Sequence, residues 1–350
     1  MNDITDLKHY LQTVSPDQVT FAEDELRSYQ QKDNGVQSLP IKIVAVVGGV
    51  LASLSFAAFL FVTGIYESSY ALLALGIIAV LTAIWLSRNY PKVILETISV
   101  SLFLIGFVLL GVALDLFDVR EQFIYLIFGI LSICTLPFVR GHVLLLIHVL
   151  VINGSVLALL LSGHGDLIHI QTSILAILLC YYLLAEPKIL CISKNMPFRY
   201  TPVRTGLLLS FLGGLLLLGM NGWMDTTSDR LWITSLVHVL CMLFVVHKLF
   251  QHLGIHHTYL VYVLYVLLVL TLVPTLYSPT LSGAILLVLL SFFVNYRTGF
   301  VTGLAAFVYG IAQYYYDLDL SLLTKSGLLF LSGLFFFILY FITIKNRPAS

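Results

Sequence analysis

From His142 to Leu161 the chain reads HVLLLIHVLVINGSVLALLL, with no Asp, Glu, Lys or Arg in it. At about 1.5 Å per residue a helix of this length extends roughly 30 Å, the thickness of the hydrocarbon core of a bilayer. A helix also satisfies its own backbone N–H and C=O groups, which no lipid tail can do. Runs of this kind recur from position 43 to position 344. Across the whole chain of 350 residues, 59% are hydrophobic and 10% charged, and mean hydropathy is +0.99. Soluble domains carry about 25% charged residues. The composition therefore predicts an all-α polytopic membrane protein.

Reading outward from the quoted run gives about twelve transmembrane helices, expected near 43–65, 70–87, 93–114, 122–139, 142–161, 167–185, 203–220, 231–249, 258–276, 280–294, 299–315 and 326–344. The tenth follows Pro279 and is short, so a full crossing there is the least secured by the sequence. Charge placement tests the count independently. With the N-terminus inside, the outer segments hold only Arg120, Arg230 and Lys325 of the 18 basic residues. Basic residues resist translocation, so this sorting supports twelve crossings with both termini cytoplasmic. The longest inner loop, 186–202, divides the membrane domain (43–344) into halves at 43–185 and 203–344, an arrangement shared with two-half transporters. Residues 345–350 form a short cytoplasmic tail.

Residues 1–42 are the only sizeable polar segment. Ile4, Leu7, Leu11 and Val14 recur at helical spacing. Ser15-Pro16-Asp17-Gln18 then reads as a helix start with a capping box, and Val19, Ala22, Leu26 and Tyr29 supply an apolar stripe. A small cytoplasmic helical hairpin is expected. No signal peptide is read in it, so the first apolar run is taken as a retained span.

Near the C-terminus the sequence runs Tyr314-Tyr315-Tyr316-Asp317-Leu318-Asp319-Leu320-Ser321-Leu322-Leu323-Thr324-Lys325-Ser326. Aromatic residues, a Leu-Asp-Leu stretch, then Leu-Leu, one variable residue and Lys-Ser resemble the C-terminal signature of the DUF4401 family and its DUF2157 relatives. The glycine-rich start of the first run, Val47-Gly48-Gly49-Val50-Leu51-Ala52, agrees more loosely. The resemblance implies a bacterial inner-membrane setting and directs attention to Lys325, but brings no established activity and no catalytic residue. Tyr315, Tyr316, Asp317, Asp319, Lys325 and Ser326 form a candidate outer-face motif. It reads either as an anion-binding or docking site, or as a lock of aromatics and snorkelling lysine at the headgroup boundary.

Ionisable side chains are expensive in hydrocarbon unless they pair or line water, so polar groups inside the runs are candidates for a site. His148, Asn153 and His238 lie within runs, and Glu96 lies about one turn into the third. One reading gathers the first three around a midplane cavity; the other makes each an interhelical tie. Glu96 follows Lys92 by four residues, which suits an ion pair at the inner interface. His169 and Gln171 sit near the outer end of the sixth run. His252 and His256 share a helix face and are weak metal candidates, with no clear third ligand beside them. Gly299, Gly303, Ala306 and Gly310 share one face of the eleventh run and predict close helix packing.

Net charge is zero, so no basic field draws nucleic acid. Cys134, Cys180, Cys191 and Cys241 form no CxxC pair, and no cofactor motif occurs. The expected partners are the bilayer and either a small solute or an envelope protein. Three functions fit: a small-solute carrier or channel; a non-transport protein of envelope assembly, sensing or scaffolding; and, least supported, an intramembrane enzyme.

Overall fold

A computed structural model describes residues 68–90, 93–163, 167–192, 196–220, 231–252 and 278–317, with scattered positions within 48–64, 262–276 and 323–337. The N-terminal head and most of the runs expected at 43–65, 258–276 and 326–344 lie outside the described residues. The described elements are all helical: α1 (Ser69–Asn89), α2 (Val93–Leu116), α3 (Glu121–Thr135, continued by a 3-10 turn, Leu136–Phe138), α4 (His142–Gly163), α5 (Ile168–Leu184), α6 (Glu186–Leu190), α7 (Met196–Gly219), α8 (Leu231–His252), α9 (Pro279–Phe293) and α10 (Arg297–Asp317).

Six of these segments are long and apolar enough to cross a bilayer: α1, α2, α3 with its 3-10 turn, α4, α7 and α8. α5 and α9 are apolar but shorter, with 17 and 15 residues. α10 has 21 residues but carries Arg297, Gln313 and Asp317. Every run expected between 70 and 249, and those at 280–294 and 299–315, falls on one of these helices. The larger count of about twelve crossings depends on α5, α9 and α10 also crossing and on the undescribed segments.

α1 starts where the Ser68 hydroxyl accepts from the Ala71 N–H at 3.4 Å, and ends with Arg88 in its last turn, favourable for the helix dipole. It pairs with α2 as a hairpin. Gly76 and Gly106 allow the contact: a Cβ on Gly106 would sit 3.0 Å from the Gly76 carbonyl oxygen. The Ser99 hydroxyl donates across the hairpin to Ala83 O at 2.6 Å. α3 packs on α4, and α9 packs on α10 along the expected glycine stripe. There a Cβ on Gly303 would lie 3.1 Å from Val288 N, and one on Gly310 3.3 Å from Leu281 Cα. The turn between α9 and α10 places Asn295 at φ 57°, a left-handed conformation that Asn tolerates.

α7 is the central helix, touching α4, α5, α9 and α10. Gly206 accepts the Val149 side chain of α4 and Gly214 accepts Thr172 of α5; a Cβ at either would lie 2.8 Å from that side chain, too close for a larger residue. Phe211, Leu208, Leu215, Met242, Leu287 and Leu290 fill the core around it. The sequence predicted a loop over 186–202, whereas helix occupies Glu186–Leu190 and resumes at Met196. Tertiary contacts hold these early turns. Tyr200 stacks on Tyr182 with centroids 4.8 Å apart, and Arg199 donates to Pro137 O at 2.6 Å. Arg204 lies over the Tyr296 ring at 4.0 Å and reaches Glu186 at 3.9 Å.

Together with the Ser87–Gly141 bond and a cavity lined by both Lys188 and Lys248, these contacts place Arg88, Arg140, Lys188, Arg199, Arg204, Lys248 and Arg297 at one end of the described bundle. Glu96 belongs to the same end, with a specific task. Its carboxylate accepts from the Val143 N–H at 2.6 Å, while Ser87 Oγ accepts from Gly141 N at 2.8 Å. The carboxylate thus caps the positive end of α4 from a neighbouring helix. Its expected partner Lys92 lies outside the described residues. Glu96→Ala should lower stability by about 1–2 kcal/mol, and Glu96→Gln by less, in thermal unfolding of the detergent-solubilised protein.

Candidate functional site

His148 is fully buried between α2, α3 and α4. Its ring stacks on Phe103 with centroids 4.3 Å apart. Nδ1 lies 2.8 Å from Leu144 O, a bond in which the ring must donate, and Nε2 lies 3.1 Å from Thr135 Oγ1. With hydrogen on Nδ1, Nε2 faces the Thr135 hydroxyl, whose single hydrogen also has Leu131 O within reach at 2.7 Å. Ser132 donates to the His148 carbonyl at 3.2 Å. His148 thus bonds to its own helix through Nδ1 and meets two α3 hydroxyls through Nε2 and its carbonyl, which is the arrangement of an interhelical tie.

Asn153 faces a different neighbour. Its side-chain amide donates to Val149 O at 2.8 Å, and its own carbonyl accepts from Gln171 Nε2 at 2.9 Å, joining α4 to α5. His238 belongs to a third place, the junction of α7, α8 and α9. The structure brings Asn153 to Gln171 and His238 to Ser282, and joins neither group to His148.

At the α8 junction the buried side chains are strongly polar. Thr234, Ser235 and His238 from α8 and Thr280 and Ser282 from α9 are all buried, with His169, Thr172 and Ser173 on adjoining α5. His169 Nδ1 meets Thr234 Oγ1 at 3.0 Å, and Thr280 donates to Leu215 O at 3.1 Å. His238 Nδ1 lies 3.0 Å from Ser282 Oγ, which donates to Pro279 O at 3.1 Å. A serine has one hydrogen, so this relay puts the imidazole hydrogen on Nδ1 and leaves Nε2 as an acceptor. The Phe211 edge closes one side, with ring centroids 5.6 Å apart at 87°. Gly283 leaves room for the imidazole; a Cβ there would meet His238 Cε1 at 3.1 Å.

His238 Nε2 has no hydrogen-bond partner, although the residue is 0% exposed. Ser235 Oγ, one turn earlier on α8 and also 0% exposed, has none either. Gln171 Oε1 on the α4–α5 seam, Arg204 Nε and Ser210 Oγ on α7, and Ser291 Oγ on α9 are further such atoms among the described residues, and Ser235 and His238 are the two that lie one turn apart on one helix. Each buried polar atom left without a partner costs about 1–3 kcal/mol. Ser235 and His238 together offer one bare acceptor and one hydroxyl, with no formal charge. Their chemistry is complementary to a neutral group that both donates and accepts hydrogen bonds.

The remaining sequence candidates stand apart. His252 rests its ring edge-on against Phe293, with centroids 6.3 Å apart, and His256 lies outside the described residues. Among the described residues no group of three His, Cys, Asp or Glu side chains is placed to hold a metal. Tyr315 is half-buried on the last turns of α10; Tyr316 and Asp317 end that helix. The Ser326 hydroxyl donates to Leu323 O at 2.8 Å, while Asp319 and Lys325 lie outside the described residues. Ser235 and Ser282 escaped the sequence reading because serines are common in apolar helices. The polar trio Thr234, Ser235 and His238 on two adjacent turns was the signal available.

A bundle of apolar helices with small residues at its contacts and buried neutral polar groups defines an all-helical protein of the membrane-spanning type. The chain belongs to the DUF4401 family, described as a domain of unknown function, whose model matches residues 38–345. Comparison with curated proteins and with solved structures gives no match.

Proposed function

We propose that the protein is a small-solute carrier or channel of a bacterial inner membrane, with both termini cytoplasmic and about twelve crossings. In this reading Ser235 and His238 form its internal site for an uncharged, hydrogen-bonding solute. The observation that carries it is the pair of unpartnered polar atoms, His238 Nε2 and Ser235 Oγ, fully buried where α7, α8 and α9 meet. Hydrocarbon offers such atoms nothing, so a transient polar occupant accounts for their retention. The neutral lining favours a neutral solute over an ion. The gathering of basic residues at one end supports the orientation. Kinship with DUF2157 proteins belongs to the same reading.

A second reading, a non-transport protein of envelope assembly, sensing or scaffolding, draws support from the α2–α3–α4 layer, where His148 is tied to α3 hydroxyls and helices approach at glycines. One experiment separates the two. In membrane vesicles of a variant lacking the four native cysteines, Ser235→Cys should react with a small water-soluble thiosulfonate reagent. Addition of urea or glycerol at high concentration should slow that reaction. No modification from either side of the membrane would overturn the carrier reading and leave the scaffold.

A further inference from the structure

Between α5 and α8, at the basic end, the bundle carries a cavity of about 1010 Å³ that opens sideways. Ile177 of α5 and Leu240 and Phe244 of α8 wall it, and all three are substantially exposed. Lys188 of α6 and Lys248 of α8 stand at its rim, with His252 one turn beyond Lys248. Glu186, the acid nearest Lys188 in sequence, turns instead to Arg204 at 3.9 Å. Lys248 Nζ lies 5.9 Å from the Phe244 ring centroid. Among the described residues neither lysine has an acidic partner.

Two full positive charges outweigh the partial negative ends of α5 and α8, each equivalent to roughly half a charge. The rim therefore selects an anion. The walls suit a hydrocarbon chain, since Ile177, Leu240 and Phe244 continue the apolar, exposed faces of α5 and α8. An apolar slot between helices with lysines at headgroup depth is chemistry that fits an acidic lipid. We propose that this groove holds one anionic phospholipid, its phosphate between Lys188 and Lys248 and an acyl chain against Leu240 and Phe244. The site is independent of Ser235 and His238, which lie farther along α8.

The test uses the full-length protein, purified in detergent, stripped of lipid and examined by native mass spectrometry. Phosphatidylglycerol should be retained roughly tenfold better than phosphatidylcholine with the same chains. The double variant Lys188→Gln/Lys248→Gln should retain the two lipids equally, and inorganic phosphate should not displace phosphatidylglycerol from the native protein. Leu240→Trp, which fills the groove and keeps both lysines, should lower retention of both lipids. That variant decides the matter should the double variant fail to fold. Equal retention of the two lipids by the native protein, or an unchanged preference in the variants, overturns the proposal. Displacement by phosphate alone overturns it in favour of a free-anion site. If a second copy or another segment of this chain covers the groove, no lipid is retained there and the proposal falls.

Discussion

Gly106→Val should cost about 3 kcal/mol of folding free energy, enough to leave much of the protein unfolded in detergent. The position has no tolerance for a side chain. A Cβ would lie 2.6 Å from Val80 Cγ2, 3.0 Å from Gly76 O and 3.1 Å from Val80 N. Val80 can rotate, but the two backbone atoms are fixed by the hydrogen bonds of α1 and cannot. The strain is relieved only if α1 and α2 move apart along their length. In lipid that separation is costly, because apolar tails give no hydrophobic drive and helix association relies on close packing. The Ser99 bond to Ala83 O would be stretched with it. Gly154 is the control: nothing lies within 4 Å of a Cβ there, so Gly154→Val should change stability by about 1 kcal/mol or less. Unfolding of both variants in graded sodium dodecyl sulfate, followed by circular dichroism, gives the comparison. Equal stability of the two would show that α1 and α2 are not held by this contact.

Substitution at the α8 junction should separate function from stability. Ser235→Ala removes a buried hydroxyl that has no partner, so the fold should be as stable as before, or more so by up to about 1–3 kcal/mol. His238→Leu also removes the unpartnered Nε2, while releasing Ser282 to its bond with Pro279 O. In proteoliposomes under a urea or glycerol gradient, each should slow light-scattering equilibration on the order of tenfold or more. Thr135→Val is the contrasting case. It deprives His148 Nε2 of its hydroxyl and should destabilise by about 1–3 kcal/mol without altering solute passage in the protein that remains folded. If Ser235→Ala and Thr135→Val destabilise alike, the two polar places are both structural ties and the internal site is lost.

Much of the architecture could be read along the chain. The runs from 70 to 249 fall on helices, because hydrocarbon enforces internal backbone hydrogen bonding and leaves sequence length as the main variable. The glycine stripe of α10 also kept its meaning, since Gly303 and Gly310 meet the backbone of α9 at 3.1 and 3.3 Å from where a Cβ would sit. The loop expected over 186–202 was less legible. Tyr200 and Arg204 look like interfacial polar residues in the sequence, yet they extend α7 by stacking on Tyr182 and Tyr296, partners far away in the chain.

By itself, the sequence determined that the chain is helical and apolar, and it predicted that basic residues collect at one end. Those properties follow from solvation of single segments. Only the tertiary structure decided that His148 meets Thr135, that Glu96 caps α4, and that His238 meets Ser282 with one nitrogen left over. Pairing across helices depends on how each helix is rotated about its axis and where glycines let backbones approach. Hydropathy carries neither quantity, because an imidazole in an apolar run scores the same whether its neighbour is a hydroxyl or a methyl group.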